Sequence, residues 1–405
     1  MLDLGTSFLA SVARDPQALA IVDGDVRLSY RTWYDKISAL VAGLDALGLK
    51  AGDHLVTVLQ NRWEAATIHW ACQFAGIIVT PLNWRSTAEE LDFYLEDAEA
   101  KAIVYEQVSA AAVRSSEQGR SRARIAVGDA RAQDLPFESL TGANAAGVRP
   151  RVDAEAWSVM LYTSGTTARP KGVPRRQRAE RAAALAHVAQ NLYAAHERTL
   201  GAMPLYHTMG VRSLLAMSLI GGAFVCLPRF EATRALALIA EERITNLYLV
   251  PTLYHDLLHH PRFETTDIGS VRKLGFAGAP MTDGLLSGLK AAFKPQLFVN
   301  HYGSSEIYTF TIDQNARRSP AQPAAQASTR WSAWSALAPS RRTSSPSLAR
   351  RAKSSRCCKA MNRSKAIGDG RRRTQKPCAT AGISAAIPGI STARATSSSP
   401  VASTT

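Results

Sequence analysis

The chain contains 405 residues and carries a formal net charge of +15, so it is long enough for two or more domains and a large core. Such a charge would usually indicate a nucleic-acid or anionic-membrane partner, but it is confined to one end. Residues 317–405 contain 17 Lys and Arg against one acid, Asp369, whereas residues 1–316 contain 31 basic and 32 acidic side chains. The first 316 residues are therefore nearly neutral.

Cysteine content and hydropathy narrow the class of protein further. Cys72 and Cys226 are the two cysteines of the first 316 residues, and no spacing typical of a disulfide framework or a zinc site occurs. The first residues lack the basic and apolar regions of a signal peptide, and no apolar run reaches about 18 residues. We therefore expect a soluble cytoplasmic protein without a membrane partner, and the sequence leaves a homodimer open.

Residues 1–316 alternate apolar runs with helical stretches, the pattern typical of an α/β fold with a mostly parallel sheet covered by helices. Ser29–Leu47 predicts an amphipathic helix that ends at Gly48, and Asn61–Ala75 predicts a second one that ends at Gly76. The polar segment Ser109–Ala146 predicts surface connections around a short strand. The predicted strands are Leu55–Leu59, Ile77–Thr80, Ala102–Tyr105, Arg124–Val127, Ser158–Tyr162, Ala223–Leu227, Asn246–Val250, Lys273–Phe276 and Gln296–Asn300.

The composition changes abruptly after residue 316. Residues 317–405 contain 18 Ala and 17 Ser and no Phe or Tyr, and they show very little helix or strand periodicity. Such a stretch cannot bury enough apolar surface to offset its ordering entropy. We therefore predict one domain over residues 1–316 and a mostly disordered basic tail over residues 317–405.

A run rich in hydroxyl groups follows the predicted strand Ser158–Tyr162. It reads Thr163-Ser164-Gly165-Thr166-Thr167-Ala168-Arg169-Pro170-Lys171-Gly172. Polyphosphate binding needs hydroxyls, free backbone N–H groups and a cation, and this run supplies all three. The glycine spacing and the ending of a Walker loop are absent. For a generic run of this kind, an ordinary surface turn is the alternative.

Three more segments follow in chain order. Met203–Gly210 places His207 beside Tyr206, and Phe276–Pro280 forms a Gly-Ala-Pro turn after a predicted strand. Taken singly, these two would be ordinary structural features. The third segment, Asn300-His301-Tyr302-Gly303-Ser304-Ser305-Glu306, combines an aromatic ring, small hydroxyl residues and a carboxylate.

The four segments resemble, in content and in order, the motifs of the adenylate-forming superfamily of acyl- and aryl-CoA ligases, luciferases and peptide-synthetase adenylation domains. The resemblance covers essentially all of residues 1–316 and implies the adenylate-forming fold, with an incomplete AMP-binding large domain. It implies an ATP-dependent acid:CoA ligase. Such an enzyme converts an acid and ATP to acyl-AMP and pyrophosphate, and CoA then yields acyl-CoA and AMP, with Mg²⁺ as the partner of the phosphates.

The resemblance also implies roles for individual residues. The implied catalytic residues are Lys171, His207 and Glu306, and the implied ligands of Mg²⁺ are Glu306 and Thr166. The implied ATP-binding residues are Thr163, Ser164, Gly165, Thr166, Thr167, Lys171, Gly278, Ala279, Pro280, Asn300, Tyr302 on the adenine, Gly303, Ser304, and Ser305 on the adenylate phosphate. The segments look most like those of ligases for benzoate-type acids, whose implied pocket walls here are His207, Met209, Ala279, His301, Gly303 and Tyr308.

One residue departs from the family pattern. Ala168 stands where the family usually has Gly. Because Ala resists positive φ, the departure implies a stiffer phosphate loop.

The tail shows signs of a changed reading frame. If each codon starts at the last base of its predecessor, Ser319–Thr329 can encode Lys-Pro-Gly-Ser-Ala-Gly-Arg-Ala-Gly-Ile-Asn, which resembles what the family carries after its Tyr-Gly-x-x-Glu motif. The same shift yields Gly-Tyr-Trp within Met361–Gly370 and Gly-Trp-Tyr-Phe-Ser-Gly-Asp within Ala379–Thr392. We infer a frameshift, natural or from sequencing. The ribose-binding Asp and the C-terminal Lys of the family would then be absent, which predicts impaired turnover.

Two other functions stay open. A non-catalytic remnant could bind nucleotide or acid without completing the reaction. The basic tail could bind nucleic acid, but Trp331 and Trp334 are its only aromatic residues, so we expect no nucleic-acid partner.

Two local clusters invite other interpretations. The basic patch after the phosphate loop predicts a solvated helix face rather than an anion site. The histidine cluster lacks an acid or Cys partner at metal-ligand spacing. The patch consists of Arg175, Arg176, Arg178 and Arg181, and the cluster of His255, His259 and His260.

Overall fold

The computed structural model of the chain describes residues 3–142, 147–163, 169–314 and 316. The predicted tail and its boundary therefore lie outside the described residues, apart from Ala316. Among the described residues the helices are α1 (Leu4–Arg14), α2 (Tyr30–Ala46), α3 (Trp63–Ala75), α4 (Ala88–Asp97), α5 (Ala110–Ser115), α6 (Glu117–Arg120), α7 (Phe137–Thr141), α8 (Gln177–Gln190), α9 (Thr208–Ile220), α10 (Ala232–Glu241), α11 (Pro251–Leu258) and α12 (Asp283–Phe293).

The strands form two sheets. The described strands are β1 (Leu19–Asp23), β2 (Val26–Ser29), β3 (His54–Val58), β4 (Ile78–Pro81), β5 (Ala102–Glu106), β6 (Ala123–Val127), β7 (Leu135–Pro136), β8 (Trp157–Thr163), β9 (Lys171–Arg176), β10 (Arg198–Gly201), β11 (Ala223–Cys226), β12 (Asn246–Leu249), β13 (Lys273–Phe276), β14 (Leu297–Tyr302) and β15 (Thr311–Asp313).

Both sheets are mostly parallel. The larger sheet has the order β15-β14-β13-β12-β10-β11-β1-β2, and β2 and β15 are its antiparallel edge strands. The smaller sheet has the order β7-β6-β5-β3-β4-β8-β9, in which β8 and β9 pair as an antiparallel hairpin. Parallel strands covered by helices on both faces read as continuous apolar runs. The α/β fold class predicted from the sequence is confirmed.

Helices α3 and α9 lie in the core between the two sheets. All but one residue of each helix is buried, and one apolar cluster joins both helices to strands of both sheets. The indole Nε1 of Trp70 on α3 donates to Ser218 Oγ on α9 at 3.2 Å. Helices α10 to α12 pack in a separate core against the larger sheet, and α4 and α5 pack against the smaller one.

Local sequence signals predicted several of these boundaries correctly. Ser29 caps α2 by accepting a hydrogen bond from the Thr32 N–H, and Gly76 ends α3 at φ 78°. The prediction of surface connections over Ser109–Ala146 was wrong in part. Phe137 begins α7 and is fully buried, where its ring lies edge-on to Trp63 at 5.7 Å.

None of the helices in the described ranges combines the length and hydropathy that crossing a bilayer requires.

Candidate functional site

Three of the four motifs lie at one edge of the larger sheet. Because β10, β12, β13 and β14 run parallel, their carboxyl ends share that edge. The segments that follow β10, β13 and β14 contain His207, Ala279 and Glu306. The chain leaves β10 toward β11 on one side and leaves β12 toward β13 on the other. Adjacent strands with diverging connections open a crevice at their carboxyl ends, which is where open α/β sheets bind ligands.

The remaining motif lies on the hairpin of the smaller sheet. Thr163 and Lys171 face each other across the β8–β9 ladder, so the hairpin fixes both ends of the predicted phosphate loop. Lys171 is exposed, as an ammonium group that reaches a phosphate must be. The loop residues implied to bind phosphate, Ser164, Gly165, Thr166 and Thr167, lie outside the described residues together with Ala168.

Arg175 joins the hairpin to the segment after β14. It lies four residues after Lys171, and its Nη1 donates to the backbone carbonyl of Glu306. Its Nε donates to Glu180 Oε1 at 2.8 Å, and its guanidinium carbon is 4.3 Å from the ring centroid of Tyr308. The phosphate-loop hairpin and the implied metal ligand are therefore in direct contact.

The prediction that the basic patch forms a solvated helix face was wrong for Arg175. This side chain is only 10% exposed and pairs with Glu180, which is completely buried. The other members of the patch lie on or next to α8 and contact surface groups. Arg176 and Arg178 pair with Glu155, and Arg181 donates to Ser7.

Tyr308, an implied pocket wall, is held through its hydroxyl and through two guanidinium groups over its ring. The hydroxyl donates to Glu180 Oε2 at 2.6 Å, and the ring is also contacted by Arg212, at 4.6 Å from its guanidinium carbon. Burial raises the pKa of Tyr308 well above its ordinary value, and the Glu180 charge adds to the effect. Its φ of 61° lies in the left-handed region, where a Tyr is uncommon. The surrounding contacts hold it there.

The segment from Tyr302 to Phe310 is a tight loop. The Tyr308 N–H donates to Ser304 O at 2.7 Å, and the Phe310 N–H donates to Tyr302 O at 2.8 Å. A side chain at Gly303 would overlap the carbonyl oxygen of Tyr308. Only glycine fits at this position, which explains the Tyr-Gly pair in physical terms.

The loop presents an aromatic surface and a carboxylate to solvent. Tyr302 is 54% exposed and Phe310 42%, and their ring centroids are 5.7 Å apart. The hydroxyl of Ser304 donates to the Glu306 carboxylate and, with the backbone, lowers its pKa. Asn300 and Ser305 are half-buried beside them. The loop therefore offers stacking surface, hydroxyls and an ionised oxygen ligand at one place.

His207 is the N-cap residue of α9 at the same edge. Its Nδ1 accepts a hydrogen bond from the Met209 N–H at 3.4 Å, as an N-cap side chain does. The ring reaches solvent but is largely surrounded by protein, and this desolvation, together with the Arg212 charge, lowers its pKa. His207 is therefore neutral near pH 7. Met209, the next implied pocket wall, is buried in the apolar core.

The Gly-Ala-Pro turn follows β13 directly. Gly278 has φ 87°, so this position requires a residue that tolerates the left-handed region. Ala279 and Pro280 are exposed. The register that pairs Phe276 with Asn300 places the turn next to the end of β14.

His301, another implied pocket wall, is buried rather than open to the crevice. It is 3% exposed, and its Nε2 is 3.3 Å from Asn191 Oδ1. Its ring lies 5.2 Å from those of His187 and Tyr248. Burial, with a contribution from Arg212, lowers its pKa to about 3.

Arg212 is the residue that the sequence motifs missed. It lies on α9, five residues after His207, and its Nη1 donates to Thr309 Oγ1 at 2.7 Å. Its positive charge contributes to lowering the pKa values of His187, His207 and His301. The available signal was a single cation within the otherwise uncharged helix Thr208–Ile220.

Solved structures share this architecture. The N-terminal domain of FACL13 from Mycobacterium tuberculosis superposes with a TM-score of 0.71 at 24% sequence identity, over 78% of this chain and 81% of that domain. The fold is thus the α/β fold of that domain. Residues 8–330 match the family described as AMP-binding enzyme, and this chain belongs to that family. The family predicted from the four motifs is confirmed.

Curated relatives of the chain include ligases that form CoA thioesters. A feruloyl-CoA synthase from an Amycolatopsis species is 28% identical over 314 residues, which cover 75% of this chain and 59% of the relative. A long-chain-fatty-acid–CoA ligase from Mycobacterium tuberculosis is 26% identical over 277 residues, 68% of this chain and 55% of the relative. The chain therefore spans less than two thirds of the length of these relatives.

Proposed function

We propose that this chain is the ATP-binding and acid-binding part of an acid:CoA ligase that activates a carboxylate as its adenylate. One observation carries the proposal. Arg175, on the strand that closes the phosphate-loop hairpin, binds the backbone of Glu306 in the loop after β14. Two motifs more than 100 residues apart thereby meet at the carboxyl edge where His207 and Ala279 also lie.

The nucleotide would lie across this edge. Lys171 and Thr163 stand at the base of the phosphate loop and supply a cation and a hydroxyl. Tyr302 and Phe310 offer exposed rings, on which an adenine base would stack. Attack of the acid on the α-phosphorus builds negative charge, and fixed donors and cations at this edge would stabilise it.

A magnesium ion fits the donor set of the site. Mg²⁺ with nucleotides is usually held by one or two carboxylates, waters and the phosphates themselves. Glu306 is exposed and its pKa is lowered, so it would offer an ionised oxygen to such an ion. Such an ion would neutralise phosphate charge, while Ser304 and Arg175 hold the carboxylate and its backbone.

The acid would approach between His207 and Ala279, behind the exposed ring of Tyr302. Because His207 is neutral, it would contact the carboxylate of the acid without an ionic attraction that stabilises the bound acid before it reacts. We propose an aromatic acid because three buried rings, Tyr248 on β12, His301 on β14 and Tyr308 in the loop after β14, lie beneath this edge, and ring surfaces suit a flat substrate.

Formation of the thioester requires CoA and the later part of the family's sequence. Since residues 317–405 lack that part in the frame given, we propose that this chain is impaired in complete turnover. A cytoplasmic location and a homodimer stay predictions.

The test is the exchange of labelled pyrophosphate into ATP, which reports adenylation without CoA. The full chain is assayed with matched aromatic and aliphatic acids, benzoate and hexanoate among them. We expect acid-dependent exchange, stronger with aromatic acids, that falls about 10²–10³-fold in Glu306→Gln because one charged transition-state contact is lost. Glu264→Gln, an exposed residue between α11 and β13, is the matched control.

Two results would contradict the proposal. Exchange that is absent with every acid, in a chain with native circular dichroism, would leave only a nucleotide-binding remnant. Exchange that is unaffected by Glu306→Gln would show that the carboxylate has no part in adenylation.

A further inference from the structure

Three histidines line a surface groove that contains no residue of the four motifs. They lie in and just after the last turn of α11, and the groove, of about 420 Å³, is bounded on its other side by the chain that leads into α10. The sequence spacing indicated no carboxylate partner for His255, His259 and His260. In the fold, however, Asp256 and Glu231 line the same groove.

One of the three histidines already uses both of its ring nitrogens. The Nδ1 of His260 accepts a hydrogen bond from the Arg262 N–H at 3.2 Å, so its hydrogen is carried by Nε2. That nitrogen donates to Thr233 Oγ1 at 2.9 Å. His260 therefore has no lone pair left to offer to a ligand.

The other two histidines each carry a lone pair at Nε2. The Nδ1 of His259 is 2.9 Å from the carbonyl oxygen of His255, and because a carbonyl can only accept, this nitrogen carries the hydrogen. The Nδ1 of His255 lies 3.5 Å from Asp256 Oδ1. A carboxylate at this place favours a hydrogen on Nδ1, since a lone pair there would face its negative charge. A neutral imidazole with its hydrogen on Nδ1 has its lone pair on Nε2.

The rings of His255 and His259 lie side by side. They are at positions i and i+4, which are neighbours on a helix surface, and their centroids are 4.1 Å apart with 29° between the ring planes. Two imidazoles on one tetrahedral zinc ion, with Zn–N bonds of about 2.0–2.1 Å, have centroids roughly 5 Å apart. A separation of the rings by about 1 Å therefore suffices, and exposed side chains such as these change rotamer readily.

This spacing is the one that metal sites on helices use. In the H-E-x-x-H motif, two histidines at i and i+4 on one face bind zinc, and here Asp256 stands where that motif has its Glu. A carboxylate beside Nδ1 orients a ligating imidazole and raises its basicity. We propose that His255 and His259 bind Zn²⁺ through their Nε2 atoms, with Asp256 as the residue that orients His255.

The ion would be held by two protein ligands and by water. Within the described ranges, no three His, Cys, Asp or Glu side chains are grouped so that they could hold a metal ion, so water fills the remaining positions. Glu231 adds negative charge to the same groove. Structural zinc ions usually have four protein ligands, so this site is an open one from which the ion exchanges.

The test requires a readout that reports histidine alone. Residues 317–405 contain Cys357, Cys358 and Cys378, and thiolates also bind zinc. The full chain, without an affinity tag, is therefore labelled with ¹³C in its nine histidine rings, and NMR spectra are recorded during titration with ZnCl₂. We expect two histidine resonances to shift together with one dissociation constant. MgCl₂ should leave both in place, because Mg²⁺ prefers oxygen ligands.

Substitutions assign the two resonances and measure each contribution. His255→Gln and His259→Gln should each remove one resonance and weaken zinc binding of the other at least tenfold. Asp256→Asn should weaken binding about tenfold, the lower end of the usual effect of an orienting partner. His196→Asn is the matched control, because His196 is exposed and has φ 61°, a region that Asn tolerates. All four substituted side chains are exposed, so the melting midpoint without zinc should stay unchanged.

Several outcomes would overturn the inference. They are no shift at millimolar zinc, a shift of only one of the two resonances, shifts confined to other histidines, and equal affinity in the wild type and His255→Gln. Unchanged affinity in Asp256→Asn would reject the orienting role of that carboxylate. The measurement needs neither ATP nor an acid, so its result is independent of the proposed ligase activity.

Discussion

The buried pair of Arg175 and Glu180 allows a sharp test of how the loop after β14 is held. Substitution Glu180→Gln keeps the shape of the side chain and an amide oxygen that can accept from the Tyr308 hydroxyl. It removes the negative charge that pairs with Arg175. Arg175 and Arg212 both contact the ring of Tyr308. The substitution therefore removes the buried carboxylate that pairs with Arg175, while the exposed carboxylate of Glu306 still acts on that guanidinium.

The expected loss follows from the geometry. At 2.8 Å between Nε and Oε1, the gross attraction of unit charges is about 6 kcal/mol at an effective dielectric of about 20. Most of this offsets desolvation of both groups, but removing one partner leaves the other charge buried. Breaking such a pair costs about 3–5 kcal/mol, so we expect Glu180→Gln to lower the free energy of unfolding by that amount.

A double-mutant cycle with urea denaturation measures the effect. The double variant Arg175→Met with Glu180→Gln contains neither charge and should be more stable than either single variant. The matched control is Glu155→Gln, which removes a partner of Arg178 at 2.9 Å. Both control side chains are about half exposed, so that loss should stay below about 1 kcal/mol.

The burial argument would be refuted if Glu180→Gln and Glu155→Gln cost the same. It would also be refuted if the double variant lost the full sum of the two single losses.

Three further predictions concern pH and the nucleotide loop. Burial lowers the pKa of His301 from 6.5 to about 3 and that of His69 from 6.5 to about 4, so both histidines take up protons when the protein unfolds at acidic pH. Urea titrations should therefore show that the free energy of unfolding falls below pH 6.5, by up to about 1.4 kcal/mol per pH unit for each histidine. A flat profile from pH 6.5 to 4.5 would contradict this prediction. Tyr302→Ala should weaken ATP binding in calorimetry by about 1–3 kcal/mol, the usual value of a base stacked on an aromatic ring, with stability unchanged; equal affinity would exclude stacking on this ring. Gly303→Ala should abolish ATP binding because its methyl group would overlap the Tyr308 carbonyl, and wild-type affinity would show that the loop is adaptable.

Much of the fold was predictable because its signals are local. Buried parallel strands such as Lys273–Phe276 appear as short apolar runs, and Gly76 ends its helix by adopting a left-handed conformation. Strand β9 was missed because Lys171–Arg176 contains three cations and Pro174, a composition typical of an edge strand or a loop. Only its pairing with β8 makes it a strand.

The order of strands was beyond reach of the sequence. Strand β1 pairs with β11, which comes much later in the chain. Strands β11 and β12 are consecutive in the chain, but β10 lies between them in the sheet. Such neighbours are separated by long stretches of chain, and no local pattern encodes them. The crevice between β10 and β12 depends on this order, so the position of the site emerged only with the structure.

The site was predicted as a set of motifs but not as a network. Chain order identified His207 and Glu306 as members of one family pattern. The residues that hold His207 and Glu306 in place were not visible in that pattern. Glu180 reads as an ordinary acid on an amphipathic helix, and Arg175 reads as one of four surface cations. Arg175 packs inward against Glu180 and against the ring of Tyr308, which lies more than 100 residues later in the chain.

The pairing of Ile21 with Phe224 has a consequence for biosynthesis. Strand β1 leaves the ribosome about 200 residues before the strand beside which it must lie. At about 5–20 residues per second, the nascent β1–β2 hairpin waits on the order of 10–40 s with an unpaired backbone edge. Truncated translation products that end before residue 223 should therefore be targets for chaperones and proteases. Removal of residues 1–29 should leave β11 as an unpaired edge strand that is prone to aggregation.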